Sequence, residues 1–502
     1  MDWLNYLILG LYAVMMIVIA CVTRKKSGTL NDFLLAGKGL GGWMTAFAYG
    51  TTYFSAVIFI GYAGRFGVDF GLAAIFIGVG NALVGSLLAW KVLAKKTKAM
   101  TTVLNVKTMP EFFEARYSDK KIKLFAAIII FVFLIPYSAS VYQGLGYIFE
   151  AVFGIKFIWC IVIMAALTAL YLFFGGYYAT ALTDFIQGII MLVGVVVMVS
   201  FILARPEVDL SKLSSMGKGF FPELGSGGVI KSKLFNLIII VLLTSFGVWA
   251  LPQTIHKYYA IKDGPAVKKG MIISTAFALI VGAGAYFTGA LVNFFPGIAS
   301  MPVDARVPEM LMFVLPAGLM GLIMVLVLSA SMSTLASLSL SGASAVAVDI
   351  YKGYIKKDAP DKRVNILIKA VCLLFVVCSA IFAIFQIDAI VTLMGLSWGT
   401  LAGCFIGPYV IGLYSKKVTR VAVWCSMIGG LVITLTLTLV FGAVFPIEGK
   451  GIISSGIANS PLIGVITMAF SVAVTFLVSL FTKQKDTEKT EQLFEEVKNY
   501  KV

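Results

Sequence analysis

Residues 327–348, VLSASMSTLASLSLSGASAVAV, are an apolar stretch of membrane length that carries far more hydroxyls than burial in lipid favours. At helical spacing Ala330, Ser333, Ser337, Ser341 and Ser344 fall on one face with Thr334 beside them, so the hydroxyls form a stripe. A second helix should face it. Two readings fit: small hydroxyl residues let two membrane helices pack closely, or hydroxyl and carbonyl oxygens ligate a hard, weakly held monovalent cation. Packing is the plainer account of any single serine. The whole stripe, with partners elsewhere in the chain, points to the ion.

The surrounding chain places this helix in a bilayer. Its 502 residues are 60% hydrophobic and 13% charged, with a mean hydropathy of +0.97, where soluble domains carry about a quarter charged residues. About 20 residues of helix span the hydrocarbon core. Stretches that long run over 4–22, 43–64, 70–94, 123–150, 155–175, 181–204, 234–256, 270–295, 308–346, 365–385, 390–414, 420–443 and 461–482, which makes 13. They leave no room for a soluble domain. The expected organisation is an all-α, polytopic membrane domain over 1–482 with a cytoplasmic tail, 483–502. Within it lie an extra N-terminal helix in 1–30, two sets of five helices (43–204 and 234–414) and two peripheral helices in 420–482. Met1-Asp2 lacks the basic leader of a cleavable signal, and no small-residue cleavage site precedes Arg24-Lys25-Lys26.

A net charge of +16 could suggest nucleic acid. With the N-terminus outside, however, one topology leaves only Arg65, Lys156, Arg205, Lys212, Lys218, Lys231, Lys233, Arg306 and Lys450 away from the cytoplasm. The basicity therefore encodes orientation: a multi-pass plasma-membrane protein with the C-terminus inside, partnered by lipid and not by nucleic acid. The six cysteines lie in or at the ends of apolar spans without metal-ligand spacing and read as small core residues.

The second span crowds Gly50, Thr51, Thr52, Tyr53 and Ser55 near mid-membrane. This composition suits either a close-packing face or a short unwound segment whose carbonyls line a cavity. Thr108-Met109-Pro110-Glu111 reads as a helix start, with proline in the first turn of a helix on the membrane surface. Pro136-Tyr137-Ser138, followed by Tyr142-Gln143, predicts a kinked helix presenting an aromatic and an amide to the bundle. After a Gly175-Gly176 turn, Asp184 sits about one turn inside an apolar span. Such an acid is a functional candidate needing a cation or donor cluster; the alternative is an interfacial helix anchor. The Gly- and Ser-rich loop 205–233 is expected to include a short helix.

Span 234–256 is broken in its turn by Gly247 and Pro252. Each set of five spans thus begins with an interrupted helix, and the two sets start from opposite sides of the membrane. That is the pattern of an inverted-repeat transporter with its site at the repeat interface. His256, the only histidine, stands at the cytoplasmic end beside Lys257 and reads as an interfacial residue rather than a proton carrier, and Lys257 counts among the cytoplasmic basic residues.

Four segments carry a family resemblance: FLLAGKGLGGW (33–43), the broken TTYFSA (51–56), GGYYATALTDFIQG (175–188) and ASMSTLASLSLSGASAVAVDIYK (330–352). With them the chain resembles, over nearly its whole length, the sodium:solute symporters of proline, pantothenate, monocarboxylates and glucose. The resemblance implies a LeuT-type core of 5+5 helices, here spans two to eleven. It also implies a sodium ion held by the carbonyls of Thr51, Phe54 and Ala330 and the hydroxyls of Ser333 and Thr334. A second sodium, present in some members, would use Asp184, Ser333 and Ser337, although one hydroxyl position of that set is Ala336 here. Sodium is the coupling ion, and no other cofactor is expected.

On the solute side Tyr53 stands where proline symporters carry an aspartate, and Val57 and Thr244 where they carry tryptophans. Ile58 stands where sugar symporters carry a glutamine. TTYFSA and LPQTIHKYYAIKDGPAVKKGMIIST (251–275) look most like the pantothenate branch, implying a small carboxylate or amino acid. Tyr53, Ser55, Val57, Tyr137, Gln143 and Thr244 are the pocket candidates.

The expected activity is sodium-coupled symport by alternating access, with a monomer as the functional unit. A sodium-coupled sugar symporter is the alternative, and an ion channel is less favoured because two inverted halves replace symmetric pore-lining helices. An enzyme lacks support: there is one histidine, no HExxH, no paired carboxylates and no serine with a basic partner.

Overall fold

The computed structural model describes residues 3–23, 29–174, 177–220, 232–484 and 486–500. Among them there is no strand, and a single bridge joins Leu40 to Ile261. The Gly175-Gly176 turn and Arg24, Lys25, Lys26 and Lys231 of the charge assignment lie outside the described residues.

The crossing helices are α1 (Trp3–Thr23), the broken α2 (Gly42–Tyr53 and Val57–Gly67), α3 (75–103), α4 (Lys120–Phe153), α5 (Phe157–Phe174) and α6 (Tyr177–Leu203). The second half begins with the broken α7 (Lys233–Gly247 and Pro252–Ala260). It continues through α8 (Gly264–Leu291), α9 (Ala317–Ser344, wound on to Ile355), α10 (Asp361–Ile384) and α11 (Ile390–Ile406). Peripheral α12 (Arg420–Val444) and α13 (Ser460–Phe481) follow. Eleven described helical runs are long and apolar enough to cross a membrane, one of them holding the second half of α2 together with α3. Separating α2 from α3 and adding α5, whose apolar part is shorter, recovers the expected crossings.

Three local expectations shift. The span expected over 308–346 starts at Ala317, because Pro316 separates it from a short apolar helix, Arg306–Val314; proline cannot continue the first helix but suits the start of the second. The helix expected on the membrane surface is Met109–Tyr117, with Thr108 capping the Glu111 amide. It is not a surface element: Phe112 and Phe113 are fully buried beneath the bundle. Cys21, expected in the core, is exposed on α1. The tail, in turn, forms a helix, α14 (Thr487–Asn499), which buries Leu493 and Val497.

Hydrogen bonds fix the direction of the halves. Leu40 N–H donates to the Ala260 carbonyl and Lys262 N–H to the Leu40 carbonyl, at 3.2 and 2.9 Å, so α2 starts where α7 ends. The two broken helices therefore run oppositely. Helix α2 lies against α8 almost backbone to backbone: a Cβ on Gly67 would come within 2.1 Å of the Gly289 carbonyl carbon, and one on Gly50 within 2.4 Å of the Phe277 ring. The spans of α9 and α11 are 89% and 94% buried inside the protein, against 18% for α1 and 28% for α12, which leave leucine, isoleucine and valine to lipid. The hydroxyl stripe is thus on a central helix.

Candidate ion and solute site

Helix α2 opens at Phe54, whose backbone is extended (φ −106°, ψ 108°). A helix interrupted at membrane depth needs other partners for the groups it releases, and α9 supplies them. Ser331 Oγ accepts the Ala56 N–H at 3.2 Å while donating to the Val327 carbonyl at 2.7 Å. Thr334 Oγ1 lies 3.2 Å from the Thr51 carbonyl, 3.3 Å from that of Thr52 and 3.1 Å from that of Ala330. Ser333 Oγ donates to Thr51 Oγ1 at 2.7 Å. Every one of these residues is at most 1% exposed. Four of the five residues expected at the sodium site are thereby in mutual contact, and Phe54 is the extended residue of the break itself.

The donor set suits a small hard cation. It is all oxygen, and the separations of about 3 Å are those of neighbouring ligands around an ion bound at roughly 2.3–2.6 Å. It holds no sulfur or imidazole, and among the described residues no cluster of His, Cys, Asp and Glu could take a transition metal.

One turn along α9, Ser337 Oγ is 3.1 Å from Thr52 Oγ1. It also accepts from Lys257 Nζ at 2.9 Å. The same ammonium is 3.6 Å from Asp184 Oδ2, both side chains being 1% exposed, and Asp184 stands beside the Ser333 hydroxyl. The residues expected around a second sodium are thus together, in contact with a cation borne by the chain. The placing of Lys257 among the cytoplasmic basic residues is corrected: it is buried against Asp184. The second half of α7 is covered by the end of α3 and by helix Met109–Tyr117, which bury what hydropathy assigns to the surface.

On the solute side, Tyr53 OH donates to the Thr244 carbonyl at 2.7 Å, while Thr244 Oγ1 meets Asn81 Oδ1 at 2.8 Å. The Tyr53 ring lies 6.0 Å from that of Trp398, which meets the Tyr137 ring edge-on at 5.7 Å. Ser55 borders Tyr137, and Val57 is fully buried. Gln143 is buried with neither amide atom hydrogen-bonded. Ser138 Oγ, Tyr142 OH and Trp398 Nε1 are likewise buried without a hydrogen bond.

Sequence reasoning missed Thr52, Ser331, Asn81, Lys257 and Trp398 as site residues. Asn81 and Lys257 carried the usual signal of a polar side chain in an apolar setting. Ser331 and Thr52 lie inside the recognised motifs, each next to an expected ligand, and only the fold shows which way they face.

At the end of the bundle where α7 begins, a cavity of about 440 Å³ is lined by Arg65, Asp69, Lys218, Lys233 and Asn459 among others. At the opposite end, Asp349 of α9 accepts from Thr108 Oγ1 at 2.7 Å and lies 3.9 Å from Lys123, which pairs with Glu114 at 3.0 Å.

Two inverted halves, each opened by a broken helix, with oxygens converging at one break, define a secondary transporter of the membrane rather than an enzyme. The sodium:solute symporter family description matches residues 33–430, and the chain belongs to that family.

Among curated relatives, the osmoregulated proline transporter OpuE of Bacillus subtilis (strain 168) is 27% identical over 84% of this chain and 86% of its own. A sodium/proline symporter of Staphylococcus aureus is 27% identical over 86% of each chain. Among solved structures, a Na+-coupled sialic acid symporter, substrate-bound and outward-open, matches 96% of this chain and 99% of its own with a TM-score of 0.74 at 18% identity. A manganese transporter of Eremococcus coleocola reaches 0.53 at 13% identity, covering 92% of this chain and 95% of its own. The solved structures bear on the fold. Family membership makes the protein a sodium-coupled solute symporter.

Proposed function

We propose that this symporter imports a small organic solute bearing a carboxylate, an amino acid or a proline- or pantothenate-like acid, as a monomer with its N-terminus outside and C-terminus inside. The observation that carries the reading is the meeting of Thr51, Ala330, Ser333 and Thr334 oxygens across the α2 break. Sodium bound there ties α2 to α9 and favours the arrangement in which Tyr53, Tyr137 and Trp398 enclose the solute. Release of the ion to the cytoplasm loosens the same contact. One charge falling through 100 mV supplies about 2.3 kcal/mol before any concentration gradient is added. By linkage, sodium and solute raise each other's affinity by the same factor.

An acidic solute is supported by the cavity at the expected outer end, where Arg65, Lys218 and Lys233 outnumber Asp69. The 27% identical relatives named for proline agree in solute class. A sugar would meet the fully buried, apolar Ile58 where hydroxyls need a polar partner.

The test is uptake into proteoliposomes of labelled proline, pantothenate, lactate and glucose under an inward sodium gradient. The expected result is accumulation of an acid or amino acid that stops when choline replaces sodium. Equal uptake in choline, or accumulation of glucose alone, would overturn the proposal.

A further inference from the structure

The residues that would surround a second sodium already surround a cation. Lys257 Nζ donates to Ser337 Oγ at 2.9 Å, stands 3.6 Å from the Asp184 carboxylate and lies 5.1 Å from the centre of the Tyr177 ring. Neither charged side chain reaches solvent. A carboxylate buried this deeply requires a positive partner, and here the partner is covalently part of the second half of α7. Ser337, which would otherwise offer its oxygen to an ion, is occupied by the ammonium and by Thr52. Ala336, beside it, has no oxygen in its side chain.

We propose that Lys257 takes the place of the second sodium ion, so that the carrier binds and moves one sodium per cycle. The proposal rests on the sodium-coupled reading above. A free ion at Asp184 would leave for the cytoplasm and be carried as cargo. A tethered ammonium gives the same charge compensation but returns with the protein, and so adds nothing to the driving force.

The cation also joins elements from both halves: Asp184 is on α6, Lys257 on α7 and Ser337 on α9, with Thr52 of α2 one hydroxyl away. It therefore does part of the cross-linking that a second ion would do. The sodium site at Thr51 and Thr334 uses separate oxygens and remains available.

The experiment counts radioactive sodium bound at saturation by the purified full-length chain, without solute. Wild type is expected to bind one ion per chain. Lys257→Ala, which removes the ammonium and leaves Asp184 and Ser337 free, is expected to bind two, with a sigmoidal saturation curve. Lys257→Arg should bind one, as should Lys257→Ala combined with Asp184→Asn.

Two ions on the wild-type chain would overturn the inference while leaving sodium coupling intact, and no ion on the wild type would overturn the coupling itself. A folded Lys257→Ala protein that still binds one also counts against the inference. Should that variant not fold, the wild-type count decides.

Discussion

The two broken helices occupy matching places in the two halves, yet they are opened by different chemistry and are put to different uses. In α2 no proline is present: the break at Phe54 is held by neighbouring hydroxyls, Ser331 on the Ala56 amide and Thr334 on the released carbonyls. In α7, Pro252 has no N–H to lose and begins the second half-helix directly. The tight turn Val248–Ala250 frees the Thr244 carbonyl, which Tyr53 then takes. On the proposed reading the α2 break offers its oxygens to an exchangeable ion, whereas the α7 half-helix delivers an ammonium fixed to the chain. A pseudo-symmetric fold need not carry symmetric sites; which half binds the ion depends on how the released backbone is satisfied.

Substitutions can separate the two breaks, and their expected effects fall in a clear order. Asp184→Asn leaves the Lys257 ammonium buried without its counter-charge and should cost about 3–5 kcal/mol of stability, read as a large drop in the thermal unfolding temperature in detergent. Tyr53→Phe strands the Thr244 carbonyl and should cost about 1–3 kcal/mol; solute affinity should weaken more than sodium affinity in paired titrations. Ser331→Ala withdraws the acceptor of the Ala56 amide at the α2 break and should cost about 1 kcal/mol, read as a modest loss of sodium affinity. Pro252→Ala restores an N–H on α7 and should shift sodium binding by less than about 0.5 kcal/mol, being a change at a first-turn position that makes no hydrogen bond to the α2 break. A larger effect of Pro252→Ala than of Ser331→Ala on sodium titrations would reverse the assignment of roles.

Much of this division was legible in the sequence. Hydropathy gave the crossings, Gly- and Pro-marked spans gave both breaks, and helical spacing put Ser333 and Ser337 on one face. What escaped was set by tertiary cover. Lys257 stands near the end of an apolar run and counts among the cytoplasmic basic residues, but a half-helix shortened by its break ends inside the protein, beneath helix Met109–Tyr117. That covering helix was itself recognisable by its cap and proline; its burial was not, because a basic connection looks soluble until its Phe112 and Phe113 find the bundle. The start of α9 was hidden for a different reason, as the unbroken apolar run 310–315 leads straight into the span that follows and only Pro316 marks the boundary.

The central claim is that sodium is held jointly by unwound α2 and by the hydroxyls of α9. Equilibrium binding of radioactive sodium to the purified Ser333→Ala, Thr334→Ala double variant tests it most directly. Loss of two hydroxyl ligands, each worth about 1.5–3 kcal/mol toward a charge, predicts affinity lowered by at least a hundredfold in a protein that still folds. Unchanged sodium affinity in that folded variant would contradict the account.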